Sequence, residues 1–226
     1  MSGAKPLTLG APVTRLLAGV LAICVACGPG ADVKPVVPVT PPPKTTFEDG
    51  PVAKFHSIRF AMVIPFVDGK AWKIDDHATR ELVATHEGSH SELHVALWPE
   101  QDLMNRAKCE LRATELGYMP DLELDVIDQE VASIPAGWDT RVLVASEVPK
   151  GRAGVIGHVF AFASSIRKCI FFHFRSEVAG SAGSGSGGGT ASEATILSDR
   201  LATVRLKMLE DITLDAFAVV PREKPP

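Results

Sequence analysis

The sequence predicts an α+β fold, a mainly antiparallel sheet covered by two longer helices in a sandwich-like arrangement. Three observations carry that expectation. Apolar residues recur with a period of two over most of the stretch 55–178. Two segments, Pro99 to Leu116 and Ser192 to Leu209, switch to the helical period. The order of strands, helix, strands, helix and final strand lacks the regular alternation that builds a parallel sheet.

The first residues set the address. Lys5 and Arg15 precede an apolar run, Leu16 to Ala26, that ends at Cys27. Basic residues ahead of a short apolar run have the layout of a secretory signal. The run is shorter than the roughly 20 residues a membrane span needs. The residues Leu16 to Gly30, LLAGVLAICVACGPG, with Ala26 before the cysteine and Gly28 after it, resemble the lipobox of bacterial lipoproteins. That resemblance implies cleavage after residue 26, a lipid on Cys27, and residence in the cell envelope at an outer membrane. Cys24 is disfavoured as the anchor because bulky Ile23 stands where the family has a small residue.

Residues 27–46 carry six prolines in twenty positions and no apolar period. Such a segment favours extended polyproline II and serves as a tether of up to about 60 Å. Loss of Lys5 and Arg15 with the leader leaves 21 basic against 27 acidic residues, a net charge of −6. That balance offers no electrostatic footprint for nucleic acid. The expected domain spans 47–222.

Within it, Ile58, Phe60, Met62 and Ile64 alternate as one strand face, and Asp68-Gly69 turns the chain into a strand at Ala71 to Ile74. The stretches ELVATHE and HSELHVALW flank Gly88-Ser89 and read as a hairpin, with Leu93, Val95 and Leu97 inward. Pro99 opens the first helix, whose stripe is Leu103, Met104, Ala107 and Leu111, and Gly117 ends it in a left-handed cap. Strands at 122–134 and 140–146 follow, joined at Pro135-Ala136-Gly137. A third antiparallel pair, 155–163 and 166–178, puts Ile170, Phe172 and Phe174 on one face and Cys169, Phe171 and His173 on the other. Both faces of that sheet therefore need cover. Gly180 to Gly189 is a glycine-rich loop. Thr190 to Glu193 forms a capping box, Leu197, Leu201, Val204 and Met208 face inward, and Ile212 to Val219 is a last strand. This order is broadly similar to PsbP-like domains, a likeness of fold that implies no function.

The chemically loaded string is His86-Glu87-Gly88-Ser89-His90, which matches H-E-x-x-H. A zinc hydrolase would use His86 and His90 as ligands and Glu87 as base, which requires a helix that puts both imidazoles on one face. Gly88 and Ser89 are poor helix residues and no apolar stripe runs through 85–92, so a hairpin turn and no metal are expected. Gly183 to Gly188 fits G-x-G-x-x-G only by its low complexity. Asp121, Glu123 and Asp125 form a solvated acidic face without the rest of a calcium loop. Cys169 and His173, as a metal pair, lack further ligands placed by sequence. In an oxidising compartment, Cys109 and Cys169 are expected to form a disulfide contributing about 2–4 kcal/mol. The first functional reading is a non-enzymatic, lipid-anchored envelope protein whose domain binds or supports an envelope partner, without a cofactor. The alternatives are the zinc hydrolase and an anchored carrier of a small apolar ligand held between sheet and helix.

Overall fold

The computed structural model describes residues 46–78, 80–120, 124–148, 154–179 and 191–214. All of these lie in one unit of the chain, Pro43–Pro226. Its centre is a hairpin of two twelve-residue strands, β8 (Gly154–Ser165) and β9 (Lys168–Ala179), closed by a two-residue turn in which Ile166 takes a positive φ. On one side β9 pairs with β5 (Ser91–Pro99), then β4 (Leu82–His86) and β3 (Trp72–Asp75). On the other, β8 pairs with β7 (Asp139–Glu147), then β6 (Asp125–Ala132). Every pairing in this seven-stranded sheet is antiparallel. The fold is α+β, as the periodicities predict.

Both faces of the sheet bury apolar residues because alternate positions of β8 and β9 are apolar on each side. One face presents Leu93, Phe172, Phe174, Val159 and Ala161 to the main core. The segment α2 (Ala191–Val204) covers it with Leu197, Leu201 and Val204, and a π-helical turn, Arg205–Leu209, adds Met208. A three-stranded sheet adds Met62, Ile64 and Phe66 to the same core; it comprises β1 (Ala53–Ser57), β2 (Met62–Phe66) and β10 (Thr213–Leu214). The opposite face holds Phe160, Phe162 and Phe171 against α1 (Arg106–Glu115). Full burial of each of these rings stabilises the fold by roughly 1.5–3 kcal/mol.

Three expectations are corrected. The segment 55–66 is a hairpin rather than one strand. Ser57 Oγ accepts from Phe60 N at 3.1 Å, Ala61 takes φ 52°, and Ile58 sits at the turn 82% exposed. The first helix starts at Arg106 rather than Pro99, with Asn105 Oδ1 accepting from Lys108 N at 2.9 Å as its N-cap. Pro99 still belongs to β5, and Glu100 and Met104 donate backbone hydrogen bonds to the β8–β9 turn. The buried face of that helix is Cys109 and Ala113, whereas Leu103 and Leu111 are 66% and 61% exposed. Small side chains let the helix lie close on the phenylalanine surface, and the cysteine pair sets its rotation.

The sulfurs of Cys109 and Cys169 lie at disulfide distance, with Cα atoms 5.5 Å apart across a sequence separation of 60. The hairpin at 86–91, the turn at Pro135 to Gly137 and the left-handed Gly117 all fall where the sequence puts them. Leu197, Leu201, Val204 and Met208 are all buried, as their spacing predicts. The expected last strand is seen as Thr213–Leu214 against β2. Cys27, the tether, Asp121, Glu123, the 180–189 loop, Thr190 and 215–219 lie outside the described residues. Among the described residues no helix is long and apolar enough to cross a membrane.

Candidate functional site

The H-E-x-x-H string forms the β4–β5 turn. His86 ends β4, Glu87–Ser89 make one 3-10 turn, and His90 takes a left-handed φ of 49° before β5 begins at Ser91. The His86 ring is buried against Phe47 and Trp72, with centroids 5.2 and 5.3 Å away. Its Nδ1 accepts from Ser89 N at 3.1 Å. An amide can only donate, so the imidazole proton sits on Nε2, which donates to Asp68 Oδ2 at 3.1 Å. Asp68 is held there by the left-handed turn before Gly69, where a side chain at Gly50 would collide with Asp68.

Glu87 points away and bonds the exposed Lys73, whose ammonium holds its carboxyl below the usual range. His90 is exposed beyond the turn. The three residues a zincin site needs are therefore not gathered on one helical face. Among the described residues, no group of three or more His, Cys, Asp or Glu side chains is placed to hold a metal ion.

A polar network runs inward from the turn. Ser89 Oγ lies 2.8 Å from both His86 Nδ1 and Ser91 Oγ, and Ser91 Oγ bonds Ser176 Oγ at 2.9 Å. From α2, Arg200 Nη1 donates to Ser89 O at 2.8 Å and Ser176 Oγ at 2.9 Å, while its Nε meets Glu48 at 3.2 Å. Of these groups, Glu48, His86, Ser89 and Arg200 line an open cleft of about 810 Å³ between the turn, the first 3-10 turn (Phe47–Asp49) and α2, and Ser91 and Ser176 brace them from behind. Asp68, His86 and Ser89 are the residue types of a nucleophilic relay, in which the hydroxyl must give its proton to the imidazole. Here the Nδ1 lone pair already accepts the Ser89 amide, and the hydroxyl has Ser91 as acceptor. The arrangement is suited to fixing the cleft wall rather than to generating an alkoxide.

On the opposite face, three histidines stack in a row across β5, β9 and β8. The centroids of His94 and His173 are 6.0 Å apart, those of His173 and His158 5.4 Å, and His158 Nδ1 lies 3.1 Å from His173 Nε2. Burial, reinforced by Arg175, pushes His158 down to about 4. Burial, then the neighbouring His158, His94 and Arg175, pushes His173 down to about 3. Burial also acts to lower His94, but Glu81 at 3.2 Å and Glu92 at 3.1 Å together raise it. Cys169, joined with Cys109, is not a free partner for His173.

Of the candidate residues, His86 alone lines the cleft as a buried group, beside Ser89 of the same string. Sequence reasoning missed Asp68, Ser91, Ser176, Arg200, Glu48 and the His158–His173 contact. The one available signal was the histidines at alternate positions of predicted strands, since His94, His158 and His173 each sit amid apolar alternation. Compared with known proteins, the chain matches no protein-family model, and no curated protein matches it.

Proposed function

We propose that the protein is a lipid-anchored envelope lipoprotein whose folded domain is a binding module and not an enzyme. Its site for an envelope partner is the cleft between the β4–β5 turn and α2. The observation that carries the binding reading is the about 810 Å³ cleft whose His86 and Ser89 are engaged in hydrogen bonds that brace its wall. The cleft mixes Arg200 and Lys207 with Asp49, Asp68 and Asp199, which suits a polar protein surface better than a single small ion. The anchor rests on the Leu16 to Gly30 stretch and its small residue before Cys27, since stable membrane attachment takes more than one acyl chain.

Two measurements test this. Mass spectrometry of the mature N-terminus should show a lipidated Cys27, lost in Cys27→Ala and kept in Cys24→Ala; an unmodified mature end refutes the lipoprotein reading. Photocrosslinkers placed at Asp199 or Thr203, on the cleft wall, should trap an envelope protein in intact cells. A crosslinker at Ile166, on the exposed β8–β9 turn, should not. Equal trapping from all three positions removes the cleft from consideration.

A further inference from the structure

The apolar residues that α1 does not bury lie at one corner of the molecule. The helix lays Cys109 and Ala113 on the sheet, so Ala107 and Leu111, one turn apart, share an exposed side. Ahead of the helix two loops are tied together: Glu100 N donates to Arg167 O at 2.7 Å, and Met104 N to Ile166 O at 2.7 Å. These bonds hold the segment of Leu103 against the β8–β9 turn, where Ile166 stands 72% exposed. A single aliphatic side chain in water is ordinary, whereas a group of large ones gathered at one place marks an interaction surface.

The charge around this group says what the surface fits. Lys108 precedes Cys109 and Lys168 precedes Cys169, and the Cα atoms of the two cysteines are 5.5 Å apart, so both lysines start from one junction. Arg167 follows Ile166 in the turn, and all three basic residues are exposed. The other cations here are neutralised: Arg106 by Asp139, Arg112 by Glu100 and Glu115, and Arg141 by Glu110. Among the described residues, Lys108, Arg167 and Lys168 form no ion pair, and Asp102 is the one carboxylate of residues 99–116 without one. In a chain of formal net charge −4, three such cations against one carboxylate reverse the sign locally. Exposed aliphatic side chains ringed by lysine and arginine suit an anionic bilayer surface. The aliphatic groups enter the acyl boundary, and the long basic side chains keep their charge among the headgroups.

We propose that the corner formed by the start of α1 and the β8–β9 turn docks on an anionic lipid surface. Leu103, Leu111 and Ile166 are its apolar contacts, and Lys108, Arg167 and Lys168 its headgroup contacts. This goes beyond the cleft, which is walled by α2 from the opposite face of the sheet, and it does not depend on a lipidated Cys27.

The test is methyl NMR of the full chain carrying Cys27→Ala, on nanodiscs of phosphatidylcholine and phosphatidylglycerol whose acyl chains bear a nitroxide. Which methyl groups are broadened is the readout, so attachment of the chain through Leu16 to Ala26 does not mimic docking. The methyl signals of Leu103, Leu111 and Ile166 should be lost, while those of Ile196 and Leu206, exposed on α2, should persist. Lys108→Glu with Arg167→Glu and Lys168→Glu, all at exposed positions, should restore the lost signals, as should discs of phosphatidylcholine alone. Each cation removed should weaken docking about fivefold. Leu103→Ser with Ile166→Ser should restore the signal of Leu111, with the lipid-free spectrum showing that the fold is kept. Uniform broadening, signals lost first from α2, or equal losses on neutral and anionic discs overturns the proposal. So does a photocrosslinker at Ile166 that traps an envelope protein in cells. The cleft stands or falls separately, on the crosslinking at Asp199 and Thr203.

Discussion

The buried histidine pair makes the domain acid-sensitive, and the size of the effect follows from the structure. His158 and His173 titrate at about 4 and about 3 in the native state because burial opposes their charged forms. In the unfolded chain a histidine titrates near 6.5. Native values below unfolded ones mean that the unfolded state takes up protons first. The contribution of the pair is therefore complete above about pH 6.5 and is lost as the pH falls, down to about 4 for His158 and about 3 for His173. Between pH 7 and 5 the loss is about 2 kcal/mol per ring, about 4 kcal/mol for two. That is a large part of the roughly 5–15 kcal/mol that typically separates folded from unfolded states. His94 has the opposite sign, since its raised native value adds stability as the pH falls, and it trims the total. Urea unfolding at pH 7, 6 and 5 measures the slope. Replacing both rings together, His158→Phe with His173→Phe, removes the 3.1 Å hydrogen bond without orphaning a partner in it. The double variant should lose most of the pH dependence while keeping stability at pH 7 within about 2 kcal/mol. A wild-type stability flat from pH 7 to 5, or a double variant as acid-sensitive as the wild type, refutes the reasoning.

Opening the Cys109–Cys169 link by changing both residues to serine should cost about 2–4 kcal/mol, read as a lower urea midpoint, because it closes a long loop in the unfolded chain. Gly157→Val should destabilise by about 1–3 kcal/mol, since the new side chain meets Leu197 and Leu201; near-UV circular dichroism and thermal unfolding check it. Metal analysis of the purified chain should find no stoichiometric zinc, and stoichiometric zinc lost in His86→Ala would restore the hydrolase. His86→Ala should also cost about 2 kcal/mol or more, because it strips Asp68 and the Ser89 amide of their shared partner.

Legible in the sequence alone were the class of fold, the strand faces of β5 and β9, the buried stripe of α2, and the turn at 86–91. Each of these is a local matter: period two or 3.6, a glycine, or a proline decides it within a dozen residues. It also restricted the folded part to a single free pair of cysteines, once Cys24 and Cys27 are assigned to the leader and anchor. Tertiary structure decided what local patterns leave open. The rotation of α1 was one such matter, because Ala107 and Leu111 make as good an apolar stripe on paper as Cys109 and Ala113, and only the sheet and Cys169 distinguish the two. The break at Ile58 was another, because alternation continues through a turn that a serine hydroxyl stabilises. The network joining Glu48, Asp68, His86, Ser176 and Arg200 spans 152 positions of sequence between Glu48 and Arg200, and no spacing rule reaches that far. Its members meet because β9 inserts between β5 and β8 at the centre of the sheet, which places Ser176 against Ser91 and beneath the Arg200 of α2.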